Sequence, residues 1–63
     1  MRFVFLPLLN GEGIGINVAE IAVICVAKKG TRIFLKNELF YDVDMKIVEV
    51  FGALQKSISN IAE

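Results

Sequence analysis

The chain has 63 residues, which is one domain, and a domain this short buries only about 60% of the surface its unfolded form exposes. One cysteine and no histidine exclude an internal disulfide and the zinc motifs, so association is the reinforcement left to a small core. Net charge is zero and 56% of residues are hydrophobic, which removes the electrostatic signature of nucleic-acid or anionic-membrane binding and leads to the expectation of apolar surface covered by another copy or another protein.

Met1-Arg2 followed by Phe3–Leu9 mimics a short signal peptide, but the apolar run is brief, Pro7 interrupts it, and no small-residue cleavage site follows. Residues 2–9 read instead as a first strand, with Phe3, Phe5 and Pro7 on one face and Val4, Leu6 and Leu8 on the other. Pro7 cannot donate to a ladder, which places it at an edge or a strand end. Asn10-Gly11-Glu12-Gly13 is a turn, since Asn-Gly is the strongest short hairpin signal. Residues 14–18 follow as a second strand with Ile14, Ile16 and Val18 inward, and residues 17–20 allow a short turn.

The most apolar run, 21–27, predicts a third strand. β-Branched Val23, Ile24 and Val26 suit a pleated surface, and seven residues suit a strand better than a helix. Ile21, Val23 and Cys25 share one face, and Ala22, Ile24 and Val26 share the other. A strand apolar on both faces is expected to be covered on both. Lys28-Lys29-Gly30 closes a hairpin in which Gly30 supplies a positive φ. The fourth strand, 31–36, alternates: Ile33 and Leu35 on one face, Arg32, Phe34 and Lys36 on the other. Asn37-Glu38 turns the chain into a fifth strand over 39–43, with Leu39, Tyr41 and Val43 on one side.

Asp44 is expected to be the N-cap of a helix over about 45–60. Ile47, Phe51, Leu54, Ile58 and Ile61 recur at helical spacing and form one stripe, widened by Val50. The fold class that follows is α+β, mainly β: an antiparallel five-stranded meander curled into a small sheet or open barrel, with one C-terminal helix. No run approaches the roughly 18 apolar residues of a membrane helix, because Glu20 and Lys28 bracket the longest one. The expectation is a soluble protein of a reducing compartment, the cytoplasm.

Gly11, Gly13 and Gly15 could suggest a phosphate cradle, but a strand follows where such loops need a helix N-terminus, and Glu12 stands where the anion would sit. Asp42 and Asp44 could hold a cation, yet no third ligand is near in sequence; a solvated Asp42 and a capping Asp44 account for both. Cys25 has no histidine base to activate it and reads as a buried small hydrophobe. No nucleophile–base pair is visible, so no enzyme, metal or cofactor is expected. Lys28, Lys29, Arg32 and Lys36 cluster, and Arg32, Phe34 and Lys36 share a face that could track a nucleic-acid backbone and stack a base.

Leu9-Asn10-Gly11, then Ile16-Asn17 with Ile21, then the run from Gly30 to Asn37, then Val43 and Glu49-Val50 with Leu54, resemble the small flagellar FlbD-type family over most of the chain. Asn37-Glu38 stands where that pattern prefers Asn-Gly. By fold analogy alone, a curled five-stranded sheet with one helix is similar in size to Sm-like and other small SH3-like barrels, which often form rings; Sm proteins carry the helix before the strands. The leading expectation is a non-enzymatic oligomeric assembly or protein-interaction module, a homo-oligomer or one with a small protein partner. Its interface is expected at Phe3, Phe5, Ile24, Val26, Phe51 and Ile58. The alternative is an Sm-like nucleic-acid-binding ring or barrel using Lys28, Lys29, Arg32, Phe34 and Lys36.

Overall fold

A computed structural model describes the backbone of residues 2–62 and the side chains of residues 2–56. Five antiparallel strands precede one helix: β1 (Phe3–Pro7), β2 (Gly13–Asn17), β3 (Ile21–Val26), β4 (Thr31–Leu35), β5 (Phe40–Val43) and α1 (Ile47–Ala62). The mainly-β α+β class expected from the sequence is what the chain adopts.

The strands divide into two sheets, β1–β2 and β3–β4–β5, rather than one continuous meander. The break falls at a 3-10 turn over Val18–Glu20, where the Asn17 side-chain carbonyl accepts from the Ala19 N–H at 3.0 Å. Val18, expected at the end of the second strand, belongs to this turn. The sheets touch where β1 ends and β5 ends. Leu8 bridges Val43, the Leu9 N–H donates to the Asp42 carbonyl (3.1 Å), and the Asp44 N–H donates to the Pro7 carbonyl (2.8 Å). These bonds join the two sheets at one end without merging them into a single ladder.

In β1, alternation puts Val4 and Leu6 into the core and Phe3, Phe5 and Pro7 outside. Pro7 is the last residue of the strand, where its missing donor costs least. The following turn is held by the Gly11 N–H on the Leu8 carbonyl (3.1 Å) and the Glu12 N–H on Asn10 Oδ1 (2.9 Å). Gly11 takes φ +92° there.

The strand expected to be covered on both faces, β3, lies at the edge of its sheet and contains no fully buried residue. A bulge shifts its register between Ile21 and Val23, which resets the alternation. Ile21 and Ile24 consequently both pack on the core, while Val23 and Cys25 pair with Phe34 and Arg32. The faces read from simple alternation hold only on one side of the bulge.

The central strand is β4. Thr31 and Ile33 are fully buried, and the Thr31 hydroxyl is satisfied by donating to the Met45 carbonyl (2.8 Å). Gly30 precedes it at φ +70°, and a Cβ there would come 2.1 Å from the Val43 carbonyl oxygen. The position therefore requires glycine both for conformation and for room. Glu38 takes φ +73°, so the turn after β4 asks for the glycine that this chain lacks. Leu39 falls outside β5 and is exposed.

The helix begins at Ile47, and Asp44 is not its cap. The Glu49 carboxylate reaches back to accept from the Lys46 N–H (2.9 Å), half of a capping box, while Asp44 is spent joining the two sheets through its backbone. Val50, not Phe51, is the helix residue driven fully into the core, with Ala53 and Leu54 beside it; Phe51 is 50% exposed. Ile58 and Ile61 lie outside the described side chains. Val50 joins Val4, Leu6, Ile16, Ile33 and Val43 in the buried cluster.

Gly30→Ala is expected to cost roughly 2–5 kcal/mol, combining left-handed strain with overpacking, and Gly11→Ala, with open space around it, about 1–2 kcal/mol. Glu38→Gly is expected to raise stability by about 0.5–1 kcal/mol. Urea denaturation of the three variants checks the order. By the same measurement Val50→Ala should lose roughly 1.5–3 kcal/mol and the exposed Val48→Ala less than about 0.5 kcal/mol.

Candidate interaction surface

Three apolar regions face outward. The first is the outer face of β1 and β2. Phe5 is 81% exposed and its ring lies over two glycines of the neighbouring strand. A Cβ at Gly13 would stand 3.3 Å from Phe5 Cε2, and one at Gly15 would stand 3.5 Å from Phe5 Cδ1. Glycine here lets an aromatic ring lie against the strand. Gly13 and Gly15 are strand residues opposite Pro7 and Phe5, and Gly11 shapes the turn. Phe3 continues the face beside Phe5, also exposed.

The second region is the edge of β3, where Val23 and Val26 are exposed. Ile24, expected at the interface alongside Val26, is half-buried with its side chain on the core. The third is the flank of α1, where Val48 and Phe51 are exposed. Val23 and Val48 were not singled out by residue type; a bulge and a helix rotated toward Val50 bring them to the surface, and no short sequence signal reports either.

The outer face of the three-stranded sheet carries two cross-strand rows, Val23–Phe34–Phe40 and Cys25–Arg32–Asp42. The Arg32 guanidinium grips both Asp42 oxygens, Nε to Oδ1 at 2.7 Å and a second nitrogen to Oδ2 at 3.2 Å. It also stands 4.4 Å from the centre of the Phe40 ring, within cation–π range, while Phe34 and Phe40 meet at 5.6 Å between centroids. Arg32 is thus held by its own sheet. The bond to Asp42 raises the Arg32 pKa further and holds the Asp42 carboxyl below the usual carboxylate value, opposed in both by desolvation. Cys25 is half-buried on this outer row rather than in the core.

The predicted basic array is only partly assembled. Lys28 and Lys29 are exposed on the β3–β4 turn and line a shallow depression with Arg32, Asp42, Ala27 and Leu9. Lys36 lies past the other end of β4, and Phe34 is half-buried against Phe40. Asp42 is committed to Arg32 and does not combine with Asp44; among the described residues no group of three His, Cys, Asp or Glu side chains could hold a metal ion. No helix among the described residues is long and apolar enough to cross a membrane.

No protein-family model, curated protein or solved structure matches this chain.

Because Asp42 has a lower pKa folded than unfolded, the pair contributes fully above the unfolded value near about 3.9 and its contribution fades as pH falls through the lower folded value. Asp42→Asn should therefore be less stable than the parent at pH 7, and the gap should close as pH falls below the ordinary carboxylate range. Urea titrations across that range check both the sign and the window.

Proposed function

We propose that this chain is a non-enzymatic module of the cytoplasm that works by association, as a homo-oligomer or with a small protein partner. The observation that carries the reading is the imbalance of apolar side chains. Among the described residues six hydrophobic side chains are fully sheltered, while nine large ones, from Phe3 and Phe5 to Val48 and Phe51, are exposed. A monomer's surface normally scatters such residues; here six of the nine fall on a glycine-floored aromatic face, a bare strand edge and a helix flank. Contact with another chain removes such surface from water at about 25 cal/mol per Å².

The resemblance to the FlbD-type family is supported by what the shared residues do. Gly11 takes a left-handed turn conformation, Asn17 caps the 3-10 turn, and Ile16, Val43 and Val50 are buried. These are scaffold roles, so the resemblance adds a fold expectation and no chemistry.

Nucleic-acid binding is the second reading, favoured by the exposed Lys28 and Lys29 beside the depression at Leu9. It is weakened by the commitment of Arg32 to Asp42 and Phe40 and by zero net charge.

Light scattering on the full chain at micromolar concentrations should give a mass above one 7.0 kDa subunit. A monodisperse single-subunit species, with no partner retained, would count against the association reading. Salt-sensitive anisotropy of a labelled single-stranded RNA would favour the second reading, and no binding at low salt would dispose of it.

A further inference from the structure

The edge of β3 has a chemistry that names its own occupant. The Ala27 N–H donates to the Gly30 carbonyl across the hairpin (3.2 Å), and Cys25 pairs with Arg32 two residues further along. Ala27 and Cys25 thus direct their backbone groups toward β4. By the alternation of an antiparallel ladder, Ile24 and Val26 direct theirs away from it, to the open side. The strand Ile21–Val26 carries no charge and no proline, two of the features that keep an edge from pairing, and its bulge lies at the N-terminal end, leaving Val23–Val26 in regular register. What this edge accepts is another β-strand.

We propose that β3 pairs antiparallel with β3 of a second copy about a two-fold axis at Ile24, joining two three-stranded sheets into one of six. This rests on the association reading and specifies it. Charge complementarity selects the occupant and the register. Centring on Ile24 sets Ile24 opposite Ile24 and Val23 opposite Cys25 within the regular stretch beyond the bulge, and brings the end of each strand that follows Glu20 beside the end of the other that precedes Lys28. Glu20 and Lys28 are exposed, and the one ion pair among the described residues is Arg32 with Asp42. The two-fold therefore brings opposite charges together at each end of the apolar stretch. Val26, 71% exposed in the subunit, is covered by the second copy on both sides of the axis. A centre two residues toward the N-terminus, at Ala22, would fall on the bulge and bring Glu20 opposite Ile24, setting a carboxylate against an apolar side chain. The isologous pairing also closes on itself, giving a dimer and not a fibre.

The register makes a specific test. Val23 and Cys25 of the second copy form a non-hydrogen-bonded pair, with Cα atoms about 4.5 Å apart, inside disulfide range. Val23→Cys, treated with diamide at tens of micromolar, should give a covalent dimer on a non-reducing gel, while the parent chain stays largely unlinked. Val23→Cys with Cys25→Ser should lose the link. Glu20→Lys and Lys28→Glu alone should each weaken association of the otherwise unchanged chain by about tenfold in Kd, and together restore it; far-UV circular dichroism confirms that each variant folds. Persistence of the link after Cys25→Ser, or linkage of the parent as fast as the variant, places the two-fold elsewhere and overturns the register. A dimer by mass with no Val23→Cys link, or without the charge-swap rescue, overturns the β3 pairing while leaving the association reading in place. A single-subunit mass with no link overturns both.

Discussion

Val43 is the residue at which both sheets meet, and the fold depends on its being held there. Its side chain is fully buried. Its backbone pairs with Thr31 on β4 and bridges Leu8 beyond β1. Its carbonyl oxygen lies so close to Gly30 that no side chain fits between them. The Thr31 hydroxyl, bonded to the Met45 carbonyl, fixes the chain on its way from β5 into α1. Two sheets, the main hairpin and the entry to the helix are thus joined within a few residues. Because interiors pack at near-crystalline density, such a junction admits little adjustment.

The cost of this arrangement falls on β3. With β5 turned toward β1, the order β3–β4–β5 leaves β3 outermost. The most apolar segment of the chain then lies at an edge, its core-facing residues reduced to Ile21 and Ile24. The outer face is treated differently. Arg32, bound to Asp42 and stacked near Phe40, places a satisfied charge between the aromatic rows, so that face is neither uniformly apolar nor freely cationic.

Much of the local structure was legible in residue order because it rests on short-range stereochemistry. Gly11 and Gly30 have the positive φ their turns require, Pro7 ends its strand, and strand alternation places Val4, Leu6, Ile16 and Ile33 inside. The errors share one cause. Asp44 had the right chemistry for a cap, but a tertiary bond to Pro7 claimed its backbone and Glu49 capped instead. Phe51 fitted the helical stripe as well as Val50 did, and the rotation that chose Val50 was set by the sheet beneath. Ile21 was grouped with Val23 and Cys25 by counting in twos, which a single bulge invalidates.

By itself, then, the amino-acid order determined the number and kind of elements, their turns, the lack of an internal disulfide and the surplus of apolar side chains, because each follows from backbone sterics, periodicity or composition. The tertiary structure alone decided that the strands part into two sheets, that β3 is an edge, and that Arg32 is held by Asp42. Those outcomes turn on which distant backbone groups meet, at Leu8 with Val43 and at Lys36 with Glu20, and no local preference encodes a meeting between residues so far apart in the chain.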